Sequence, residues 1–323
     1  MNRLESENLR LRAWNREDAP MLFQYASNVE LASLAGWMPH HSVSQSKLVI
    51  ENTFTNDHTW AIELLGENRL IGCICLYMGE ESNIGLLSNE VEVGIWIAPE
   101  YAKRGYGSEA LKTLIQWCQT NTQFRAIYAD CRSKSDPSYA MLLGCGFSST
   151  GRINANSRIK PYNGEPVSVM KRNLREWILF LCHGNICRST MAEFIMKDIL
   201  RKKSLFQKYH IESAAVSSEE IGNPIYPPAA RCLELHGVAY DAQRVARRVT
   251  KTDYMLYDSI ICMDRSNLML LRRIIENDPD GKVHLMMQFS GENRDVADPW
   301  YTGDFEATYR DVSRACLNMI ENK

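Results

Sequence analysis

The chain has 323 residues, 45% of them hydrophobic, with 37 basic and 39 acidic side chains and ten cysteines. That length suits two ordinary domains, each with its own core. Charge is balanced, at 17 basic and 18 acidic residues over 1–174 and 20 and 21 over 175–323, so nothing here argues for a nucleic-acid face or a membrane patch.

No apolar run reaches the roughly 18 residues of a spanning helix, and Met1 to Glu7 lacks the apolar core of a signal peptide. The cysteines have neither the density nor the spacing of a disulfide scaffold or metal clip. A cytoplasmic location with no nucleic acid, membrane or metal partner is therefore expected.

In chain order, Leu9 to Trp14 alternates as a strand, and Arg16, Glu17 and Asp18 open a helix carrying Met21, Leu22 and Tyr25. Leu31 to Pro39 reads as a turn-rich stretch and Ser44 to Phe54 as a second helix. Trp60 to Leu65 and Leu70 to Tyr77 flank a Gly-Glu-Asn-Arg turn, a hairpin pattern. Glu90 to Ile97 is the longest strand signal of this half. It runs through Ala98-Pro-Glu-Tyr-Ala into Lys103-Arg-Gly-Tyr-Gly-Ser108 and a helix reaching Trp117. Strand, basic glycine-bearing turn and helix N-terminus form an anion cradle, because free N–H groups and the helix dipole face the turn. The turn has neither the Walker Gly-Lys-Ser nor the glycine spacing of a dinucleotide fingerprint.

With Leu9-Arg-Leu-Arg12, Glu17-Asp18, the Trp60 strand, Ile95-Trp-Ile-Ala-Pro-Glu-Tyr101, Arg104-Gly-Tyr-Gly-Ser-Glu-Ala-Leu111 and Gly144-Cys-Gly-Phe147, residues 1–174 resemble the GNAT acetyltransferases. The nearest subgroup acts on ribosomal-protein N-termini and similar amines. The resemblance implies a mixed α/β fold, an amine acceptor, and acetyl-CoA as cofactor. Its pyrophosphate would lie on the amides of Lys103, Arg104, Gly105, Tyr106, Gly107 and Ser108, and its pantetheine arm along Ile95 to Ile97. The family's Asn-x-x-Ser reads Ser135-Asp-Pro-Ser138 here, and a tyrosine acid of some members falls on Leu142. Glu92 is the candidate general base, unless it merely faces solvent. A module that senses acetyl-CoA or docks a protein without acetyl transfer is the alternative.

Pro166 to Met170 reads as the last strand of this half, and the second opens with an apolar strand, Ile178 to Leu181. A polar loop, Cys182-His-Gly-Asn-Ile-Cys-Arg188, follows, with Ser189 as N-cap of a helix from Met191 to Lys202. This is a second anion cradle, and it favours the thiolate form of Cys182. Arg188 offers a planar fork for two phosphate oxygens. A thiolate facing a bound phosphoryl group, with donors around its oxygens, is the apparatus for covalent phosphoryl transfer. Such chemistry needs an acid for the leaving oxygen, and Asp298 of Asp295-Val-Ala-Asp-Pro-Trp-Tyr301 is the candidate. Strands near Tyr209–Ala214, Ser259–Met263 and Val283–Met287 alternate with helices over Pro228–His236, Ser266–Ile275 and Phe305–Ile320. That alternation implies a parallel sheet covered on both faces.

The loop, together with Glu212-Ser-Ala-Ala215, Ile221-Gly-Asn-Pro224, His236-Gly-Val238, Tyr257-Asp-Ser-Ile-Ile-Cys-Met-Asp264 and Ala297-Asp-Pro-Trp-Tyr301, makes residues 175–323 resemble a low-molecular-weight protein tyrosine phosphatase. The resemblance implies Cys182 as nucleophile, Arg188 as phosphate binder and Asp298 as general acid, without a cofactor, acting on a phosphorylated protein or small phosphomonoester. It further implies Asn185, Ser189 and Ser213 as the set that fixes the loop, and Cys187 as partner in a reversible disulfide that shields Cys182. Glu219 falls where relatives often have an aromatic pocket wall, and the loop-supporting histidine falls near Arg244. His183 follows the nucleophile, and Ile186 leans toward phosphotyrosine over phosphoarginine. An arsenate reductase of the same fold needs two further cysteines; Cys262 sits near the first, but position 269 is Met269.

Overall fold

The computed structural model describes residues 3–132, 136–159 and 166–321. The chain separates into two compact units, Met1–Leu174 and Arg175–Lys323.

The first unit is one sheet of β1 (Leu4–Glu5), β2 (Leu9–Arg12), β3 (Thr59–Leu64), β4 (Arg69–Tyr77), β5 (Glu90–Ile97), β6 (Ala126–Cys131), β7 (Ser148–Ile153) and β8 (Ser168–Asn173), ordered β1-β2-β3-β4-β5-β6-β8-β7. Neighbours are antiparallel except β5 and β6. The β5–β6 ladder covers only Glu90–Glu92 against Ala126–Tyr128. Because β5 continues to Ile97 and β6 to Cys131, the two strands part beyond that point. Helices α1 (Ala19–Ala26), α2 (Val29–Ala35), α3 (Val43–Asn52), α4 (Tyr106–Asn121) and α5 (Pro137–Gly144) accompany the sheet. Trp60, Ile62, Ile71 and Ile74 of the sheet pack with Leu111 and Leu114 of α4 in the core.

The stretch read as turns at Leu31–Pro39 begins instead as α2. Asn28 caps it by accepting from the Leu31 amide at 3.0 Å, and Gly36 ends it at φ 80°. Two good caps rescue a helix too short to show a period. Ser135, singled out in the sequence, lies outside the described residues.

The second unit is a parallel sheet of β9 (Glu176–Cys182), β10 (Tyr209–Ala215), β11 (Ser259–Cys262) and β12 (Val283–Leu285), ordered β10-β9-β11-β12. Its helices are α6 (Arg188–Lys202), α7 (Pro227–Leu235), α8 (Lys251–Leu256), α9 (Arg265–Ile275), α10 (Pro299–Thr302) and α11 (Phe305–Glu321). β9 is apolar from Trp177 onward because both its faces are covered. Ile178, Phe180 and Cys182 pack with Met191, Leu233 and Val312. Trp177, Leu179 and Leu181 pack on the other side with Tyr257, Ile260 and Leu271. Burying a side chain such as Phe180, at 0% exposure, contributes about 2–3 kcal/mol. The chain leaves β9 to either side, for β10 and β11. Their shared carboxyl ends form the crevice where open α/β sheets bind ligands.

Candidate active site

β9 delivers Cys182 to that crevice, and the loop after it turns through Asn185 at φ 59°. Asn185 is one of the few residue types that enter the left-handed region at modest cost, and the turn aims its amide at Cys182 Sγ, 3.2 Å away. Ser189, read as the N-cap, lies inside α6 instead; the N-cap position is Cys187, with no side-chain cap bond. The reason is competition: the Ser189 hydroxyl donates to Cys182 Sγ at 3.0 Å and accepts from Asn185 Nδ2 at 2.9 Å. Asn185 Nδ2 also donates to Ser213 Oγ at 2.9 Å, and Ser213 donates to Glu193 Oε2 at 2.6 Å. Asn185, Ser189 and Ser213 thus form the connected set that the resemblance implied.

Arg188, 3% exposed, sends Nη1 to Asp264 Oδ2 at 2.6 Å and to the Val296 carbonyl at 3.1 Å. Its Nη2 donates to Asp298 Oδ2. Asp298 in turn caps α10, accepting from the Trp300 amide at 3.1 Å. Cys182, Arg188 and Asp298 are therefore gathered at one end of one sheet. Trp300 and Tyr301 stand exposed beside them, and the Tyr226 ring lies 4.9 Å from that of Trp300.

On the loop's other side, His183 Nε2 lies 3.0 Å from Glu219 Oε2, with both side chains open to solvent. The Glu220 side chain packs over Gly184, leaving a Cβ there only 2.8 Å from Glu220 Cγ. Cys187 is buried, and burial first, then the charges of Cys182 and Asp298, pushes its thiol well up. All ten cysteines are free thiols. Cys262 belongs to the cluster on the face of the sheet opposite Cys182 and burial raises its thiol to about 12; Met269 is exposed. Glu193 and Arg247 were not singled out in the sequence, and Asp264 only as the end of a motif, since nothing local marks a charged residue that a distant loop will bury.

In the first unit, the turn before α4 takes positive φ at Lys103 (61°) and Gly105 (89°), and Lys103, Arg104 and Gly105 are exposed. Such a turn leaves amides free for a phosphate. A Cβ at Gly107 would meet Met141 Sδ at 2.9 Å, so a larger residue there would push the Met141 side chain aside. Ile95 and Ile97 are half-buried on β5 where it parts from β6. The residues fit a pyrophosphate on the turn and a thin chain along the strand edge.

Glu92 does not face solvent. It is 5% exposed and accepts from Ser82 Oγ at 2.8 Å and the Asn83 amide at 3.2 Å. Burial and nearby Asp130 raise its carboxyl. Asp130, raised by burial, accepts from Asn154 Nδ2 at 2.9 and 3.1 Å. Glu92 pairs in register with Tyr128, so Asp130, two residues on, shares its face of the sheet. Arg158 lies 3.9 Å from Glu92 and 4.0 Å over the Tyr77 ring. Leu142, aligned with a tyrosine acid, is a core residue at 2% exposure.

Among the described residues, one group has metal-ligand chemistry: Cys232, His236 and Glu306. They satisfy one another, His236 Nε2 to Glu306 at 2.9 Å and Cys232 Sγ to Glu306 at 3.5 Å. No helix among the described residues is long and apolar enough to cross a membrane.

Residues 177–322 match the family model "Low molecular weight phosphotyrosine protein phosphatase", and residues 8–148 match the "Acetyltransferase (GNAT) domain". The low molecular weight phosphotyrosine protein phosphatase of Gallus gallus is 36% identical over 149 residues, 45% of this chain and 93% of the relative. The low molecular weight protein-tyrosine-phosphatase YfkJ of Bacillus subtilis is 34% identical over 145 residues, 44% of this chain and 92% of its own. The crystal structure of YfkJ aligns at 33% identity and a TM-score of 0.45, covering 47% of this chain and 96% of that one.

Proposed function

Because the chain belongs, through residues 177–322, to the low molecular weight phosphotyrosine protein phosphatase family and carries a GNAT acetyltransferase domain ahead of it, we propose that it is an enzyme with two activities. Residues 175–323 would hydrolyse phosphotyrosine-type monoesters through a phosphocysteine on Cys182. Residues 1–174 would transfer acetyl groups from acetyl-CoA to an amine. Both would work in the cytoplasm, where thiols stay reduced.

The observation that carries the phosphatase reading is the set of bonds around Cys182 and Arg188. Sγ receives a backbone N–H and a hydroxyl, which stabilises a thiolate. It attacks phosphorus in line, the ester oxygen leaves with the proton of Asp298, and Arg188 and the loop amides hold the remaining phosphoryl oxygens. Water, deprotonated by Asp298, then attacks the phosphocysteine and sulfur departs as thiolate. Exposed Trp300 and Tyr301 suit an aromatic leaving group, and Ile186, 8% exposed on the loop, favours phosphotyrosine. Arsenate reduction is not supported, because Cys262 is held in the core away from Cys182.

In the first unit, Lys103 to Ser108 would hold the pyrophosphate and Ile95 to Ile97 the pantetheine arm. Acetyl-CoA, when bound, supplies the activated acyl group. Glu92, buried and raised, would take the proton of the acceptor amine. Two assays test the whole. Cys182→Ser should abolish hydrolysis of an aryl phosphate or phosphotyrosine peptide yet still bind inorganic phosphate; residual turnover removes Cys182 as nucleophile. Calorimetric titration with acetyl-CoA should show micromolar binding, followed by transfer in an amine screen. Binding without transfer would make the domain a sensor, and no binding would make it a docking module.

A further inference from the structure

Cys232 lies in α7 and His236 just past its end, four residues on, where the His236 amide still donates to the Cys232 carbonyl at 3.3 Å. That helical spacing puts both side chains on one face. The first turn of α11 brings Glu306 against the two of them. Cys232 Sγ lies 3.5 Å from Glu306 Oε1, and His236 Nε2 lies 2.9 Å from Glu306 Oε2. The imidazole is held flat against the Tyr309 ring, 3.6 Å away at 9°. Cys232 and Glu306 also line a cavity of about 300 Å³, together with Arg231, Gly303 and Asp304.

Sulfur, nitrogen and oxygen from three side chains are a donor set that suits zinc and its neighbours, whereas calcium and magnesium take oxygen alone. Zinc bonds of about 2.0–2.3 Å at tetrahedral angles set ligand atoms roughly 3.4–3.6 Å apart. One ligand atom from each of these residues already lies within 4.8 Å of the others, so side-chain shifts of about 1 Å would close the set. We propose that Cys232, His236 and Glu306 form a binding site for a zinc-class divalent cation, with a water on the cavity side as fourth ligand. The proposal goes beyond both activities proposed above and depends on neither. Without the cation the thiol keeps its proton, because burial first, then the charge of Glu306, raises it to about 12. On binding, the sulfur–metal bond forms as the S–H bond breaks, and the proton passes to solvent. The His236–Glu306 pair gives way readily, since its side chains are 33% and 50% exposed and such a pair is weak in water. The ion would fasten α7 to the start of α11, eight residues after Asp298. Cys-x3-His is only half of a metal clip, and its third ligand arrives through the packing of α11 on α7, which is why the cysteine spacing gave no sign of it.

The test titrates the full, reduced chain with cobalt(II), a spectroscopic substitute for zinc, and then displaces it with zinc. Wild type and Cys182→Ser should both bind cobalt with micromolar or tighter affinity. Both should show a thiolate-to-cobalt charge-transfer band and the intense visible bands of four-coordination. Zinc should erase these bands and raise the melting temperature by several degrees. Cys232→Ser should lose the charge-transfer band. His236→Gln and Glu306→Gln should each weaken binding by more than the roughly 10- to 100-fold that loss of an outer partner costs. A charge-transfer band that survives Cys232→Ser, or that disappears in Cys182→Ser, would overturn the proposal by placing the ion at another thiol. Wild type that shows no such band, or binds cobalt only at millimolar concentration, would overturn it without recourse to any variant.

Discussion

Replacing Ser189 with alanine removes one hydroxyl from a place no water can refill. Ser189 is fully buried, donates to Cys182 Sγ at 3.0 Å and accepts from Asn185 Nδ2 at 2.9 Å. A hydrogen bond to a charged acceptor is worth about 1.5–3 kcal/mol, or roughly 10- to 100-fold at about 1.36 kcal/mol per decade. The two half-reactions feel that loss differently. In the first, sulfur begins as thiolate and surrenders charge to phosphorus, so losing the donor destabilises the ground state and partly offsets itself. In the second, sulfur leaves as thiolate and needs the donor most in the transition state. We expect Ser189→Ala to lower kcat by roughly 10- to 100-fold while kcat/KM, which reports only the first half, changes several-fold at most. Rapid mixing with an aryl phosphate should show a stoichiometric burst of phenol before a slow steady state. The freed Asn185 donor should lower stability by about 1–3 kcal/mol, seen as a modest drop in melting temperature. Equal falls in kcat and kcat/KM, or an unchanged kcat, would refute the reasoning.

Asp298→Asn should slow substrates with poor leaving groups most; equal slowing of good and poor ones would remove Asp298 as the acid. Mild peroxide should inactivate the phosphatase reversibly through Cys182–Cys187, with thiol restoring activity, whereas Cys187→Ala should recover poorly; equal recovery would discard the disulfide. Glu92→Gln should cut acetyl transfer by roughly 10²- to 10⁴-fold while leaving acetyl-CoA binding intact, and an unchanged rate would release Glu92 from the role of base. Glu212 is held down to about 2 by His210 first, then Tyr257 and Arg247. A depressed carboxylate stabilises the fold above its unfolded value, near 4.5, and loses that contribution as pH falls toward the folded one. The melting temperature of wild type should therefore exceed that of Glu212→Gln above about pH 5, and the gap should shrink in acid. Because the Glu212 side chain is 39% exposed, the gap should be small.

The candidate residues Cys182, Arg188 and Asp298 were legible because each sits in a short local motif. Cys182 and Arg188 share one strand–loop–helix turn, and Pro299 marks the stiff loop that holds Asp298. What escaped the sequence was long-range or short-lived in pattern. α2 is two turns long and known only by its caps. β7 is exposed along most of its length and so shows no alternation, and β6 was not read as a strand at all. Ser189 had the composition of an N-cap, but a thiolate and an amide compete for its hydroxyl. Arg244 was reached only through the resemblance, as the position of the loop-supporting group, because its bonds to Asn185 and Ser213 are long-range contacts that no local period foretells. Glu92 was visible as a candidate, whereas Asp130 and Arg158 join it only through the sheet.

Arg188 binds three oxygens of its own protein, on Asp264, Val296 and Asp298. A phosphate that enters the crevice must win donors from tethered carboxylates, so binding is an exchange of partners. A displaced carboxylate on a short loop remains at high local concentration. It competes again once the ester is cleaved and the leaving group has gone. The same carboxylate that would protonate the leaving oxygen would thus also compete with the inorganic phosphate product for Arg188. Under the proposed mechanism, release of that phosphate would be helped by the protein's return to these ion pairs of Arg188.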